Sequence, residues 1–139
     1  MAHPQLAYEL FLRRFQGPRW EALAARGARV QRPLWASTST KDPSYPDTLY
    51  VDTLIAPDTV NTMPEATLEA FEARGTVART ADADLPGAQA VLEQLAALGI
   101  DLDDVTRQLE VEGVASFEKS FDDLLASLQD KASTLAGGA

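Results

Sequence analysis

The sequence predicts an α/β fold: the C-terminal part of a (β/α)8 TIM barrel, incomplete, with two short parallel strands near 33–37 and 58–62 and five to six helices. Three observations lead there. Pro33-Leu34-Trp35-Ala36 and Asp58-Thr59-Val60-Asn61-Thr62-Met63 are short apolar or β-branched runs with a helical stretch between them. That is the pattern of a βαβ unit, whose strands run parallel with a right-handed crossover. The first run ends in Ser37-Thr38-Ser39-Thr40-Lys41, four hydroxyls and a cation, as at a strand end suited to phosphate. Two strands also cannot cover both faces and both edges of a parallel sheet. A complete barrel takes about 250 residues, and this chain has 139.

The elements follow in order. Residues 5–15 have helical spacing, with Leu6, Leu10, Phe11 and Phe15 in one stripe. Gly17-Pro18 breaks it, and Pro18 suits the first turn of a second helix through Arg26. Trp20, Leu23 and Ala24 share one side of that helix, and Gly27 stands where a left-handed C-terminal residue belongs. The strand at 33–37 is read as buried, and the loop Asp42-Pro43-Ser44-Tyr45-Pro46 is rich in turn residues. A short helix is expected over 47–55, then the second strand. Pro64 opens a helix over 65–74 with Leu68 and Phe71 inward, closed by Gly75. Residues 76–85 carry no strong period and read as a loop or linker.

Three helices are expected after that. The first, 86–98, is stopped by Gly99; the second, 102–112, is capped by Asp101 and broken by Gly113. The third, 114–128, carries Phe117, Phe121, Leu124, Leu125 and Leu128 as a stripe. Residues 136–139 read as a frayed tail, and 1–139 as one partial domain.

Composition excludes several classes of function. Apolar content of 45% and charged content of 24% are ordinary for a globular domain, so a packed core is expected. The net charge of −9 argues against nucleic acid and against anionic membranes. No apolar run approaches the ~20 residues of a membrane span, and the first residues lack the pattern of a signal peptide. A cytoplasmic location fits. Absence of cysteine removes disulfides, thiolate catalysis and Cys-based zinc sites. The lone His3 reads as a solvated residue beside the terminus, so neither a His triad nor a metal site is expected. Asp101-Leu102-Asp103-Asp104 lacks the glycine and distal glutamate of a calcium loop and is better explained as helix capping. Six of the twelve cations precede residue 33, and they read mainly as a solvated face, with anion attraction as the alternative.

The stretch Arg32-Pro33-Leu34-Trp35-Ala36-Ser37-Thr38-Ser39-Thr40-Lys41-Asp42-Pro43 resembles the strand-7 region of bacterial transaldolases. Leu49-Tyr50-Val51-Asp52-Thr53-Leu54-Ile55-Ala56-Pro57-Asp58-Thr59-Val60-Asn61-Thr62-Met63-Pro64 is similar to the helix and strand 8 that follow. Leu6-Ala7-Tyr8, Gly17-Pro18-Arg19-Trp20, Gly99-Ile100-Asp101-Leu102 and Glu112-Gly113-Val114 extend the resemblance over nearly the whole chain. The subtype is the one also found fused to glucose-6-phosphate isomerase in some bacteria.

The resemblance implies a TIM barrel that moves a dihydroxyacetone unit between sugar phosphates in the pentose phosphate pathway. The reaction goes through a Schiff base on a strand-4 lysine and uses no cofactor. This chain resembles only the C-terminal part, without that lysine. Family members usually have glycine at position 39 and often asparagine at 42; here stand Ser39 and Asp42. A left-handed backbone at 39 would strain serine, and Asp42 would add negative charge beside a phosphate.

A Schiff-base lysine needs burial or a neighbouring cation to lower its pKa. Lys119 and Lys131 lie among acids on C-terminal helices, and Lys41 lies in a loop that the resemblance places on the substrate side. No catalytic residue is therefore expected in this chain. Ser37 and Lys41 are the expected phosphate-binding pair, one donating a hydroxyl and the other supplying charge. Thr38, Asn61 and Thr62 are candidates to line the pocket. The expected partners are a sugar phosphate in the complete barrel, and the missing N-terminal barrel part or a second copy of the chain. The alternative function is a non-catalytic helical interaction module derived from the barrel.

Overall fold

Main-chain hydrogen bonds between residues 33–35 and 60–62 set the frame. In the computed structural model, which describes residues 1–137, β1 (Leu34–Trp35) and β2 (Val60–Asn61) pair in parallel, with Leu34 opposite Val60 and Trp35 opposite Asn61. Val60 N–H donates to the Pro33 carbonyl at 2.9 Å, and Thr62 N–H to the Trp35 carbonyl at 3.0 Å. Both strands are shorter than the expected 33–37 and 58–62. Ser37 ends β1 and Asp58 precedes β2 with φ of 58° each. A left-handed residue turns the chain out of the extended region, so pairing cannot continue through it.

Among the described residues the helices are, in chain order, α1 (Ala2–Arg14), α2 (Pro18–Ala24), α3 (Leu49–Asp52), α4 (Glu65–Arg74), α5 (Leu85–Ala97) and α6 (Leu102–Gly137). The chain divides into two compact units, Met1–Gln94 and Leu95–Ala139, where the sequence reading takes one partial domain.

The core of the first unit forms around α1. Tyr8, Phe11 and Ala81 make its centre, with Leu12, Phe15, Trp35 and Ala56 packed against it. Tyr8 and Phe11 stack with centroids 5.8 Å apart, and Phe11 meets Phe15 at 5.2 Å, as spacings of three and four on one helix allow. Phe15 then meets Trp20 edge-on at 4.8 Å, which ties α1 to α2. The expected stripe is shifted: Tyr8 is 1% exposed, whereas Leu10 faces solvent. The Tyr8 hydroxyl donates to the Pro57 carbonyl at 3.1 Å, which lets a polar tip enter the core.

Several helix ends match their residues. Gly27, with φ of 91°, closes α2: its N–H donates to Ala24 O and Ala28 N–H to Leu23 O. Gly99, with φ of 83°, closes α5 in the same way on Ala96 and Leu95. Gly75 differs. It follows α4 with φ of −66°, so it ends that helix in extended backbone.

Four expectations are corrected in the first unit. The helix expected over 47–55 is one turn, α3. Ile55 leaves the helix because Thr80 and Ala81 take its main chain: both N–H groups donate to Ile55 O, at 2.9 and 3.1 Å. The Thr80 hydroxyl accepts from Ile55 N–H and donates to Asp52 O. The stretch 76–85 is therefore no plain linker, and Ala81 is wholly buried. On α4 the buried residues are Thr67 and Ala70, while Leu68 is exposed. Leu34 also faces solvent at 53% in a strand expected to be buried.

In the second unit Asp101 caps α6, accepting from the N–H groups of Asp103 and Asp104 at 2.9 and 3.2 Å. The helix then runs 36 residues straight through Gly113. The expected break at 113 does not occur. A single interior glycine costs only about 1 kcal/mol, and the residues on both sides continue the helical pattern. The tail expected at 136–139 is helical at 136 and 137, and 138–139 lie outside the described residues.

Candidate functional site

A parallel pair presents the C-terminal ends of both strands on the same side. Here those ends are Ala36, Ser37 and Thr38 after β1, and Thr62 after β2. Thr38 is the joint between them. It is 3% exposed, and its hydroxyl donates to Asn61 Oδ1 at 2.7 Å with a longer approach to Thr62 O at 3.4 Å. The carboxamide of Asn61 is thereby oriented with its oxygen toward Thr38 and its NH2 directed elsewhere, available as a donor. Three of the expected site residues thus form one hydrogen-bonded group.

Ser37 lies on the edge of a cleft of about 620 Å³. Trp35, Tyr50 and Leu54 form its apolar wall, and Thr38 and His3 are also in contact with it. Trp35 is fixed there by its indole N–H, which donates to Leu54 O at 3.0 Å. Tyr50 was not among the expected site residues. It lies on α3, and Leu54 follows in the turn after that helix. His3, expected to be a solvated terminal residue, is exposed on the first turn of α1 and borders the same cleft.

Lys41 stands apart from this group. It is exposed and donates to the Ser39 hydroxyl at 2.5 Å. The loop carrying it is anchored by the Thr40 hydroxyl on Pro46 O at 2.9 Å. Lys41 is not among the residues bordering the cleft. Ser39, where strain would follow from a left-handed backbone, has none: the positive φ belongs to Ser37. Asp42 turns its charge into its own loop, with Oδ1 accepting from Ser44 N–H at 2.9 Å and from the Ser44 hydroxyl at 2.7 Å. Those two bonds hold its carboxyl below the ordinary carboxylate range, so it is ionised at neutral pH.

Chemically the site offers hydroxyls, a carboxamide and an apolar wall. Those groups can hold a polyol and an anionic ester. No lysine and no carboxylate is among the residues that border the cleft, so a Schiff base and a carboxylate-mediated proton transfer lack a group at this position. Of the other lysines, Lys119 pairs with Asp123 on α6, and Lys131 is exposed on the same helix.

Comparison with known proteins gives a consistent answer. The family model for transaldolase/fructose-6-phosphate aldolase matches residues 2–128. A transaldolase of Parafrankia sp. is 56% identical over 137 residues, 98% of this chain and 37% of its own length. That of Acidothermus cellulolyticus is 57% identical over 129 residues, 92% of this chain and 35% of its own. That of Mycolicibacterium smegmatis is 52% identical over 130 residues, 93% of this chain and 35% of its own. The chain therefore spans little more than a third of the length of the curated relatives it matches.

Proposed function

From the premise that this chain belongs to the transaldolase/fructose-6-phosphate aldolase family, we propose that it is the C-terminal, substrate-side segment of a transaldolase. β1 and β2 are then strands 7 and 8 of a (β/α)8 barrel. The whole enzyme transfers a dihydroxyacetone unit between sugar phosphates in the cytoplasm, as a step of the pentose phosphate pathway. The chemistry runs through a lysine Schiff base and calls for no metal or organic cofactor.

The observation that carries this reading is the bond from Thr38 to Asn61 across the C-terminal ends of a parallel strand pair. Barrel active sites are built at that end. In the complete barrel Ser37 donates to the substrate phosphate and Lys41 supplies charge, while Thr38, Asn61 and Thr62 shape the wall. Lys41 reaches the phosphate by releasing Ser39, which an exposed loop lysine can do at little cost.

None of the three lysines meets the demands of a Schiff-base nucleophile. Each is exposed, without the burial that such a nucleophile requires. The segment by itself is therefore inactive. The test is a chimera in which residues 1–137 replace the matching part of the Parafrankia relative. The expected result is transaldolase activity, with Lys41→Ala raising KM for the sugar phosphate more than it lowers kcat. A folded chimera without activity would remove the reading.

A second reading is favoured by one observation: no residue of α6 is buried. A helix of that length with an apolar stripe suits an interaction module. Such a role is compatible with membership of the family and needs no turnover.

A further inference from the structure

Two buried threonines bracket the loop that carries Lys41. Thr38 stands before it, past the end of β1, and Thr48 stands after it, at the start of α3. Each hydroxyl donates one short bond: Thr38 to Asn61 Oδ1 at 2.7 Å, and Thr48 to Asp52 Oδ2 at 2.6 Å. Between them the loop closes on itself. The Thr40 hydroxyl donates to Pro46 O across its neck at 2.9 Å, and Leu49 N–H donates to the same carbonyl at 3.1 Å. Tyr45 N–H donates to Asp42 O at 3.1 Å, and Asp42 Oδ1 accepts from Ser44. A compact loop packed by its own side chains moves as a unit. The reach of Lys41 is then set by where the two ends of that unit are fixed.

The first anchor belongs to the strand pair. The second leads to Asp52, which is half-buried at the end of α3. Its other oxygen, Oδ1, accepts from Thr76 N–H at 2.8 Å, and its main-chain carbonyl accepts from the Thr80 hydroxyl at 2.6 Å. One carboxylate therefore ties the end of the Lys41 loop to the segment that follows α4. Gly75 brings that segment in: a Cβ there would stand 2.5 Å from the Phe71 carbonyl oxygen, so any side chain would force a shift. The ion pair of Asp47 with Arg74 joins the same two segments, but both partners are exposed, and such a pair contributes little. A half-buried carboxylate with a donor on each oxygen is the stronger hold.

We propose that Asp52 is a positioning residue for Lys41. By holding Thr48 it fixes the far end of the loop, and so sets where the ammonium meets the substrate phosphate. Asp52 is not among the residues that border the cleft and acts only through the loop. The inference rests on the reading of Lys41 as the cation on the phosphate side. Every contact it uses lies inside the unit Met1–Gln94.

The test has two parts. The first is amide hydrogen exchange of the whole chain, followed by NMR. Asp52→Ala is expected to speed exchange at Tyr45 and Leu49 about fivefold, the net worth of one hydrogen bond, while Val60 and Thr62 in the strand pair keep their protection. Thr48→Val, which loses one hydroxyl and keeps the shape of the side chain, should act in the same direction. Asp52→Asn should restore most of the protection, because its carboxamide can accept from Thr76 N–H and donate to the Thr48 hydroxyl. The second part uses the chimera described above. There Asp52→Ala is expected to lower the preference for fructose 6-phosphate over fructose, read as the ratio of kcat/KM, about fivefold, through KM rather than kcat. In the Lys41→Ala chimera the same substitution should add nothing. Loop exchange that is unchanged in both Asp52→Ala and Thr48→Val overturns the proposal. So does an equal loss for fructose and fructose 6-phosphate, or an effect that adds in full to that of Lys41→Ala. An inactive parent chimera removes the enzymatic reading and this inference with it, whereas those results in an active parent remove this inference alone.

Discussion

Replacing Thr38 by valine tests whether one hydroxyl joins the two strand ends. The side chain keeps its shape and size and loses only its oxygen, so no cavity opens. Two contacts disappear: the bond to Asn61 Oδ1 at 2.7 Å and the weaker one to Thr62 O at 3.4 Å. The short bond is worth about 1 kcal/mol net, and the partly buried Asn61 oxygen left without a donor adds about 1 kcal/mol more. The 3.4 Å contact adds little at that distance. The expected loss is therefore about 1–2 kcal/mol, or a fall in melting temperature of very roughly 5–15 °C for a unit of this size. Urea unfolding followed by tryptophan fluorescence suits the assay, because Trp35 sits beside the pair and its indole bonds to Leu54. A cycle with Asn61→Ala isolates the pairwise term. A coupling energy of about 1 kcal/mol is expected. Unchanged stability in Thr38→Val, or strict additivity in the cycle, would refute the claim that this hydroxyl fixes Asn61.

Other perturbations have definite signs. Tyr8→Phe is expected to cost about 1 kcal/mol through the bond to Pro57 O. Burial holds the Tyr8 phenol above its ordinary pKa. Its contribution is then complete below the unfolded value of about 10 and is lost as pH rises through the folded value, so Tyr8→Phe should flatten the alkaline limb of urea midpoint against pH. Ser37→Gly relieves a φ of 58° and is expected to gain up to about 1 kcal/mol, while weakening phosphate binding in the chimera. Ser39→Gly, which restores the residue the resemblance implies, should bring no such gain, because the left-handed position is 37; equal stabilisation by both in urea titrations would contradict this. Gly113→Ala is expected to raise helix stability by about 1 kcal/mol, since nothing lies within 4 Å of an added Cβ; a loss of helical signal would show a packing role instead.

The sequence carried the topology well and the packing less well. The parallel pair, its crossover and the helix ends at Gly27, Gly99 and Asp101 were legible because each follows from local chemistry: β-branched runs, positive-φ glycines and a carboxylate at a helix start. The buried face of α1 was not. Helical spacing admits several stripes, and Tyr8 is chosen over Leu10 by a tertiary acceptor, Pro57 O. The burial of Ala81 depends on main-chain bonds to Ile55, which no pattern at 76–85 announces. Gly113 was read as a stop because glycine is a poor helix former, yet one unfavourable residue does not outweigh the turns on both sides. At the candidate site, Ser37, Thr38, Asn61 and Thr62 are legible as strand-end positions, and the structure joins Thr38 to Asn61 and Thr62 by hydrogen bonds. The role of Thr38 as the buried link was hidden, because a hydroxyl in a polar loop looks the same whether it faces solvent or a partner. Lys41 is paired with Ser37 because both follow the strand end and the resemblance sets the lysine on the substrate side; in the structure its ammonium donates to Ser39.

Borohydride trapping with fructose 6-phosphate, read by intact mass and peptide mapping, bears most directly on the central claim. The account predicts no adduct on this chain alone at Lys41, Lys119 or Lys131, and an adduct in the chimera only on a lysine contributed by the Parafrankia segment. Efficient labelling of Lys41 in the isolated chain would contradict it.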